Sequence, residues 1–273
     1  PEDSIHYVPT LEEELEKYKS VTLDDTVSIY QDLMNGVHGE VVIVGDFETS
    51  AVMPSLETLV ENWESEAAFA RIPEAAQVDL PGREITIETP DKANAVYLAG
   101  LNLAIKDGDA DFAPLVMANF ILGGGSLASR LGDRVRQQEG LSYGIRSGFS
   151  AHPIDDRGRL TISAITNPNN QTKLEKAISE ELNRWIEEGI TEEELKRAQQ
   201  GYLQGQQLQR SNDRVLTGLI GSTLFAGRTL DYYADLEKAI GRLYPEAVNE
   251  TVRKRISSNK LIQVFAGDVG AKE

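Results

Sequence analysis

Three features of this sequence predict an α+β fold, a mostly antiparallel sheet covered by helices. Residues 141–151 and 159–167 are strand-like runs joined through Pro153-Ile-Asp-Asp-Arg157, the spacing of an antiparallel pair. Around them lie long segments with apolar residues every three or four positions, two of them opened by Thr-x-x-Glu boxes. Third, Val42-Ile-Val-Gly-Asp46 matches Val264-Phe-Ala-Gly-Asp268, and an amphipathic stretch precedes each (residues 23–34 and 246–256). Gly45 and Gly267 lie 222 positions apart (267 − 45). A unit of helix, strand and Gly-Asp turn therefore occurs twice. This predicts the tail of a first domain over residues 1–78 and one complete domain of the same kind over 79–273. The competing reading is coincidence, because a strand ending in Gly-Asp is a common turn signal.

Each element has its own warrant. Thr10 with Glu13 opens a helix over residues 10–19. A second helix covers 23–34, capped or flanked by Thr22 and stopped near Asn35-Gly36. The apolar run 40–44 predicts a buried strand, and an incomplete first copy would leave its sheet edge exposed. Residues 53–63 place Leu56, Leu59, Val60 and Trp63 on one helical stripe. Residues 67–82, with Pro73 and Pro81, read as a linker. Beyond it, Ile85 and Ile87 alternate with polar neighbours in a strand over 84–89, and a second strand covers 95–103. Residues 111–122 are apolar on most faces, which predicts a buried helix, and 126–138 a more polar one. Helices follow over 171–188, from Thr191 toward Leu208 with Glu194 completing the cap, over 214–226 and over 232–243. The last strand is 260–266.

Composition narrows the function classes. The chain has 273 residues, 40% hydrophobic and 26% charged, enough for a real core. Lys plus Arg number 27 and Asp plus Glu 44, so the net charge is −17. Phosphate backbones and anionic lipid are repelled by such a surface, which argues against nucleic acid as a partner. No apolar run approaches the ~18 residues of a membrane span. No signal peptide is visible, and a chain starting at Pro1 reads as a processed or cloned piece, so that absence carries little meaning. There is no Cys, which removes disulfides, thiolate metal sites and Cys nucleophiles. The lack of Cys slightly favours a periplasmic or exported bacterial protein, although many cytosolic proteins share it.

The chemistry-bearing segments are Leu122-Gly-Gly-Gly-Ser126, Ser129-Arg-Leu131 and Arg136-Gln-Gln-Glu-Gly-Leu-Ser-Tyr143. They stand in the order helix end, glycine turn, charged helix, aromatic-bearing strand. A phosphate loop follows a strand and carries Gly-Lys-Ser/Thr; here the glycines follow a helix and no Lys is present. A Rossmann fingerprint also needs a strand first. Two readings remain open together: a helix-to-helix turn needing positive φ, and close backbone approach to a bound peptide. No Gly-x-Ser-x-Gly occurs, and three His are too few to supply an obvious Ser with a base. Glu192 to Glu194 fit favourable charge at a helix start better than acid–base work.

Together with Gly189-Ile-Thr-Glu-Glu-Glu-Leu195-Lys-Arg-Ala198 and the two Gly-Asp strand ends, these motifs resemble the C-terminal, non-zinc half of the pitrilysin/insulinase family of zinc metallopeptidases. The resemblance spans essentially the whole chain. It implies homologous α/β domains paired into two bowl-like halves around a chamber where peptides are cut. It implies that Arg136 and Tyr143 match the family's Arg/Tyr pair, the Tyr hydroxyl steadying the developing oxyanion and the Arg holding a substrate carbonyl. A phenol donor and a guanidinium fork aimed at new negative charge are strong stabilisers. Gly123, Gly124, Gly125 and Ser126 are the residues it sets against substrate. The bland alternative has Arg136 in a helix salt bridge and Tyr143 packed in the sheet.

The family's zinc motif is His-x-x-Glu-His on a helix. Here His6, His38 and His152 are separated by 32 and 114 positions (38 − 6 and 152 − 38), so no pair shares a helical turn. The resemblance therefore implies no cofactor in this chain, with zinc in a complementary half, either an N-terminal domain or a separate subunit. By itself the chain is expected to be inactive. Its expected role is to bind peptide substrate and complete the other half's site. Two other readings compete: a catalytically inert structural member of the same fold family, and an α+β interaction domain unrelated to peptidases.

Overall fold

A computed structural model describes residues 4–34, 36, 38–61 and 63–269, with Ser126 described by its backbone alone. The chain divides into two units, Pro1–Ile72 and Pro73–Glu273.

The first unit carries α1 (Leu11–Ser20), α2 (Leu23–Asp32) and α3 (Thr49–Val60). The Thr10 hydroxyl accepts from the Glu13 amide (3.3 Å) while the Glu13 carboxylate accepts from the Thr10 amide (2.7 Å), a reciprocal cap. Thr22 and Asp25 do the same for α2. Tyr30 stacks on Trp63 at 5.6 Å, and the Gly36 amide donates to the Trp63 carbonyl at 2.8 Å. None of the three helices holds a buried residue. Asn35, half of the expected helix stop, lies outside the described residues. The buried strand expected over residues 40–44 is not formed, nor is the sheet edge it would leave. Val42 and Val44 are half-buried and Val41 and Ile43 exposed. A strand needs a neighbour to take its ladder hydrogen bonds, and this unit offers no strand among its described residues.

The second unit is a five-stranded sheet with helices on one face: β1 (Arg83–Glu88), β2 (Ala95–Leu103), β3 (Ser142–Ala151), β4 (Gly158–Thr166) and β5 (Ile262–Gly267). The strand order is β1-β5-β2-β4-β3. Only the β1–β5 pair is parallel; the other three pairs are antiparallel. Helices α4 (Phe112–Asn119), α5 (Gln171–Glu187), α6 (Glu192–Gln209), α7 (Asp213–Phe225), α8 (Asp231–Gly241) and α9 (Pro245–Arg255) complete it. Along β2 the alternation is explicit: Ala95, Tyr97, Ala99, Leu101 and Leu103 are buried under the helices, while Val96, Leu98, Gly100 and Asn102 face away. Trp185 of α5, Tyr97 and Phe265 are the largest fully buried side chains, each stabilising the fold by about 2–3 kcal/mol through burial. The proline-bearing segment is not loose beyond Pro73. The Ala76 amide donates to the Asp156 carbonyl (3.0 Å), and Lys260 Nζ donates to the Val78 carbonyl (3.1 Å).

The hairpin β3–β4 turns at His152. Its Nδ1 accepts from the Ile154 and Asp155 amides (3.2 and 2.9 Å), so this imidazole organises a turn. The buried helix over 111–122 is present as α4, but it widens into a π-helical turn over Phe120–Gly124. The expected helix over 126–138 is a short 3₁₀ turn, Ser126–Ala128, followed by a π-helical segment, Gly132–Gln138. Such widened turns gather at functional sites.

Candidate functional site

Arg136 lies near the end of the π-helical segment Gly132–Gln138, and Tyr143 is the second residue of β3. The two line one open cleft of about 690 Å³, with Gly123 and Gly124 on its wall. Tyr143 is 92% exposed. Among the described residues neither side chain has a hydrogen-bond or ion-pair partner, so the salt bridge and sheet packing that would have made the pair structural are absent.

The outward aim of Tyr143 has a local cause. Ser142 pairs with Thr166 and Gly144 with Ile165, so Tyr143 is the extra residue of a β-bulge. In regular alternation it would share the helix-covered face with Ile145 and Ser147, both buried. The bulge turns it to the open face instead. The Ser142 hydroxyl holds the irregularity: it donates to the Ile165 carbonyl (2.6 Å) and accepts from the Gly144 amide (3.1 Å). Thr166 seals the next position, its hydroxyl donating to the Leu141 carbonyl at 2.6 Å.

The glycines are needed for a reason other than the expected positive φ. None of the three has positive φ; Gly125 sits at −79°. The helix does not reverse at this point but continues as a π turn pressed against β3. A Cβ on Gly123 would stand 2.5 Å from the Ser147 amide nitrogen, and one on Gly124 2.8 Å from Asn119 Nδ2. The Ser147 hydroxyl donates to Asn119 Oδ1 (2.7 Å), tying turn to strand. Gly125 lines a different hollow, beside Arg130 and Arg134. The Ser126 side chain lies outside the described residues.

Arg130, part of the same motif set, is structural. Its Nε and Nη2 bind the Glu194 carboxylate (2.7 and 2.9 Å), Nη2 also donates to the Gly189 carbonyl (2.7 Å), and buried Glu181 stands 3.9 Å from Nη1. Glu194 also closes the α6 cap by accepting from the Thr191 amide at 2.8 Å. Burial pushes the Glu194 carboxyl up, but the Arg130 guanidinium and the Thr191 amide outweigh it and hold it at about 2. This pair locks the charged turn onto α6, which fixes where Arg136 begins.

The described residues do not fit a zinc ion. No group of three His, Cys, Asp or Glu is placed to hold a metal, and His152 Nδ1 is committed to two amides. Among the described residues no helix is long and apolar enough to cross a membrane. The pattern of the chain missed Arg146, Arg159, Asn119 and Ser147 as members of this region. Arg146 was findable from period-2 counting along β3, but only once the bulge is known.

Comparison with known proteins bears on the family and the fold. The family model described as "Peptidase M16 inactive domain" matches residues 20–202. A Helicobacter pylori protein described as "Non-peptidase homolog YmxG" is 24% identical over 248 residues, covering 90% of this chain and 56% of that protein. A Bacillus subtilis protein described as "Uncharacterized zinc protease YmxG" is 37% identical over 86 residues, 32% of this chain and 20% of its own length. The crystal structure of a peptidase M16 inactive domain from Pseudomonas fluorescens superposes with a TM-score of 0.76 at 26% identity, over 93% of this chain and 59% of that one. The chain thus spans little more than half the length of the first of these relatives and of that solved structure.

Proposed function

This chain belongs to the peptidase M16 inactive-domain family, the non-zinc part of the pitrilysin/insulinase architecture, and from that premise we propose that it completes the active site of a zinc metallopeptidase. The zinc is held by a complementary half, a further domain or a separate subunit. Residues 1–78 are read as the tail of a first domain of the same fold, a reading supported by their order of helices and a Gly-Asp turn. Membership of this family removes the unrelated interaction domain from contention.

The observation that carries the proposal is the pair Arg136 and Tyr143, free of partners and facing one cleft. An unpaired guanidinium beside an open cleft in a chain of net charge −17 is available to a ligand. In the closed assembly the Arg136 fork holds a substrate carbonyl, and Tyr143 Oη donates to the oxygen as negative charge develops on it. Donors of this kind act most strongly where water is excluded, which the second half provides. Gly123 and Gly124 keep the wall of the cleft low enough for a peptide backbone to approach.

The test is reconstitution. Mixed with the zinc-bearing half, the chain should give peptide hydrolysis that neither component gives alone. A second reading, a structural member retained for assembly, is favoured by the description of the Helicobacter pylori relative as a non-peptidase. A stable complex of the two halves that cleaves no peptide under any condition would select it.

A further inference from the structure

The open face of the sheet has a charge opposite to that of the molecule. Two clefts cover it and run into one another, sharing Leu98, Arg146, Ser147 and Ser163 on their walls. Among the described residues four cations line them, Arg136, Arg146, Arg159 and Lys260, and no Asp or Glu does. The chain as a whole has 44 acidic residues against 27 basic ones, so a face this size without a carboxylate is a strong local reversal. None of the four cations has a carboxylate partner among the described residues, whereas Arg130, Arg134, Arg157, Arg210 and Arg228 all do. Glu74, in the neighbouring hollow with Arg159, is engaged by Arg157 at 2.8 Å.

Register gives this face its relief. Val264, Leu98, Ser163 and Arg146 form one row across β5, β2, β4 and β3. The next row is Ile262, Gly100, Thr161 and Gly148, two of them without side chains. The Arg159 guanidinium lies over Gly100, its Nη2 3.2 Å from where a Cβ would be. The result is a shallow trough with arginines on two sides and apolar side chains exposed beside it, Leu98 at 51% and Ile165 at 55%.

We propose that this face selects extended peptide segments that carry carboxylates between apolar side chains. The proposal rests on the peptide-binding reading above and names its substrate class. Rows two residues apart along a strand are about 6.7 Å apart, the same interval that separates alternate side chains of an extended ligand. A carboxylate at Arg146 or Arg159 meets a guanidinium fork, and the alternate side chains cover Leu98 and Ile165. The acidic remainder of the surface does not cancel this attraction, since its field is screened beyond about 8 Å at physiological salt. A second copy of this chain is a poor occupant in a symmetric pairing, because it would bring the same cations face to face. Nucleic acid has no use for the exposed Val96, Leu98 and Ile165, which alternate apolar side chains of a peptide would cover.

The experiment is fluorescence anisotropy of the whole chain with labelled peptides that alternate Glu, Gln or Lys with Leu. The Glu–Leu peptide should bind roughly tenfold or more tightly than the Gln–Leu peptide, and the Lys–Leu peptide weakest. Its advantage should shrink as salt is raised. Arg146→Gln and Arg159→Gln should each weaken Glu–Leu binding roughly five- to tenfold and so bring it down toward that of the Gln–Leu peptide. Equal binding of all three peptides overturns the charge selection and leaves peptide binding standing; binding of none overturns both. A chain that self-associates until the arginines are replaced gives the face to a second copy, which also overturns the proposal.

Discussion

Ser142 closes the bulge that releases Tyr143: its hydroxyl joins the Ile165 carbonyl to the Gly144 amide across the one unpaired residue of the ladder. The exposure of the phenol is therefore a property of its buried neighbour. Ser142→Ala removes a buried donor and leaves the Gly144 amide without its acceptor, a loss of about 1–2 kcal/mol. Thermal melts should fall by about 2–6 °C. In the reconstituted assembly turnover should fall further than this destabilisation explains, because Tyr143 loses its fixed aim. Unchanged turnover with a lowered melting temperature would separate the bulge from the chemistry.

Gly123 and Gly144 both line the cleft, yet they should respond differently to alanine. A Cβ on Gly123 collides with the Ser147 backbone, while one on Gly144 meets nothing within 4 Å. Gly123→Ala should cost about 1–3 kcal/mol through overpacking, a fall of about 3–9 °C in melting temperature. Gly144→Ala should stay within about 0.5 kcal/mol of the parent. Equal melting temperatures would mean that the π turn is not pressed against β3.

The Arg130–Glu194 pair makes stability depend on acid. The folded carboxyl titrates at about 2, below its ordinary 4.5. Its contribution is therefore complete above about 4.5 and lost as pH falls through about 2. Discounted for solvent around a partly exposed carboxylate, this amounts to about 1–2 kcal/mol. Urea unfolding at a series of pH values measures it. Glu194→Gln should be less stable near neutrality and should lose less on acidification; parallel pH profiles for the two proteins would contradict the assignment.

Zinc affinity and peptidase activity should both be absent from the isolated chain. Its three histidines lie on separate segments, and His152 spends Nδ1 on the β3–β4 turn. Metal analysis after dialysis against micromolar zinc tests this, and one tightly held ion per chain would refute it.

The outline of the second unit is readable from the chain alone, because alternation along residues 95–103 and 159–167 and the Thr191–Glu194 box are local signals. The functional aim is harder to read. The spacing of Arg136 and Tyr143 marks them as a pair, but the bulge that turns Tyr143 outward depends on pairing with Ile165 and Thr166, far away in sequence. The glycines are hard to read for a similar reason: Gly123 is constrained by the approach of Ser147 and Gly124 by Asn119, packing that short-range pattern cannot distinguish from a need for positive φ. The strand expected at residues 40–44 has strand composition without a partner. Arg146 and Arg159 look like ordinary surface arginines until register places them around the Gly100–Thr161–Gly148 row.

The central claim is that Tyr143 and Arg136 act on substrate held by the complementary half. Steady-state kinetics of the reconstituted peptidase with Tyr143→Phe tests it most directly. Losing one hydroxyl aimed at an oxyanion should lower kcat about 10²–10³-fold, on the order of 3 kcal/mol, with KM little changed. Arg136→Ala, by contrast, should raise KM as well as lower kcat, because its partner carbonyl is already present in the bound peptide. Melting temperatures should not move, since both side chains are exposed. A Tyr143→Phe assembly that turns over at the parent rate would contradict the account.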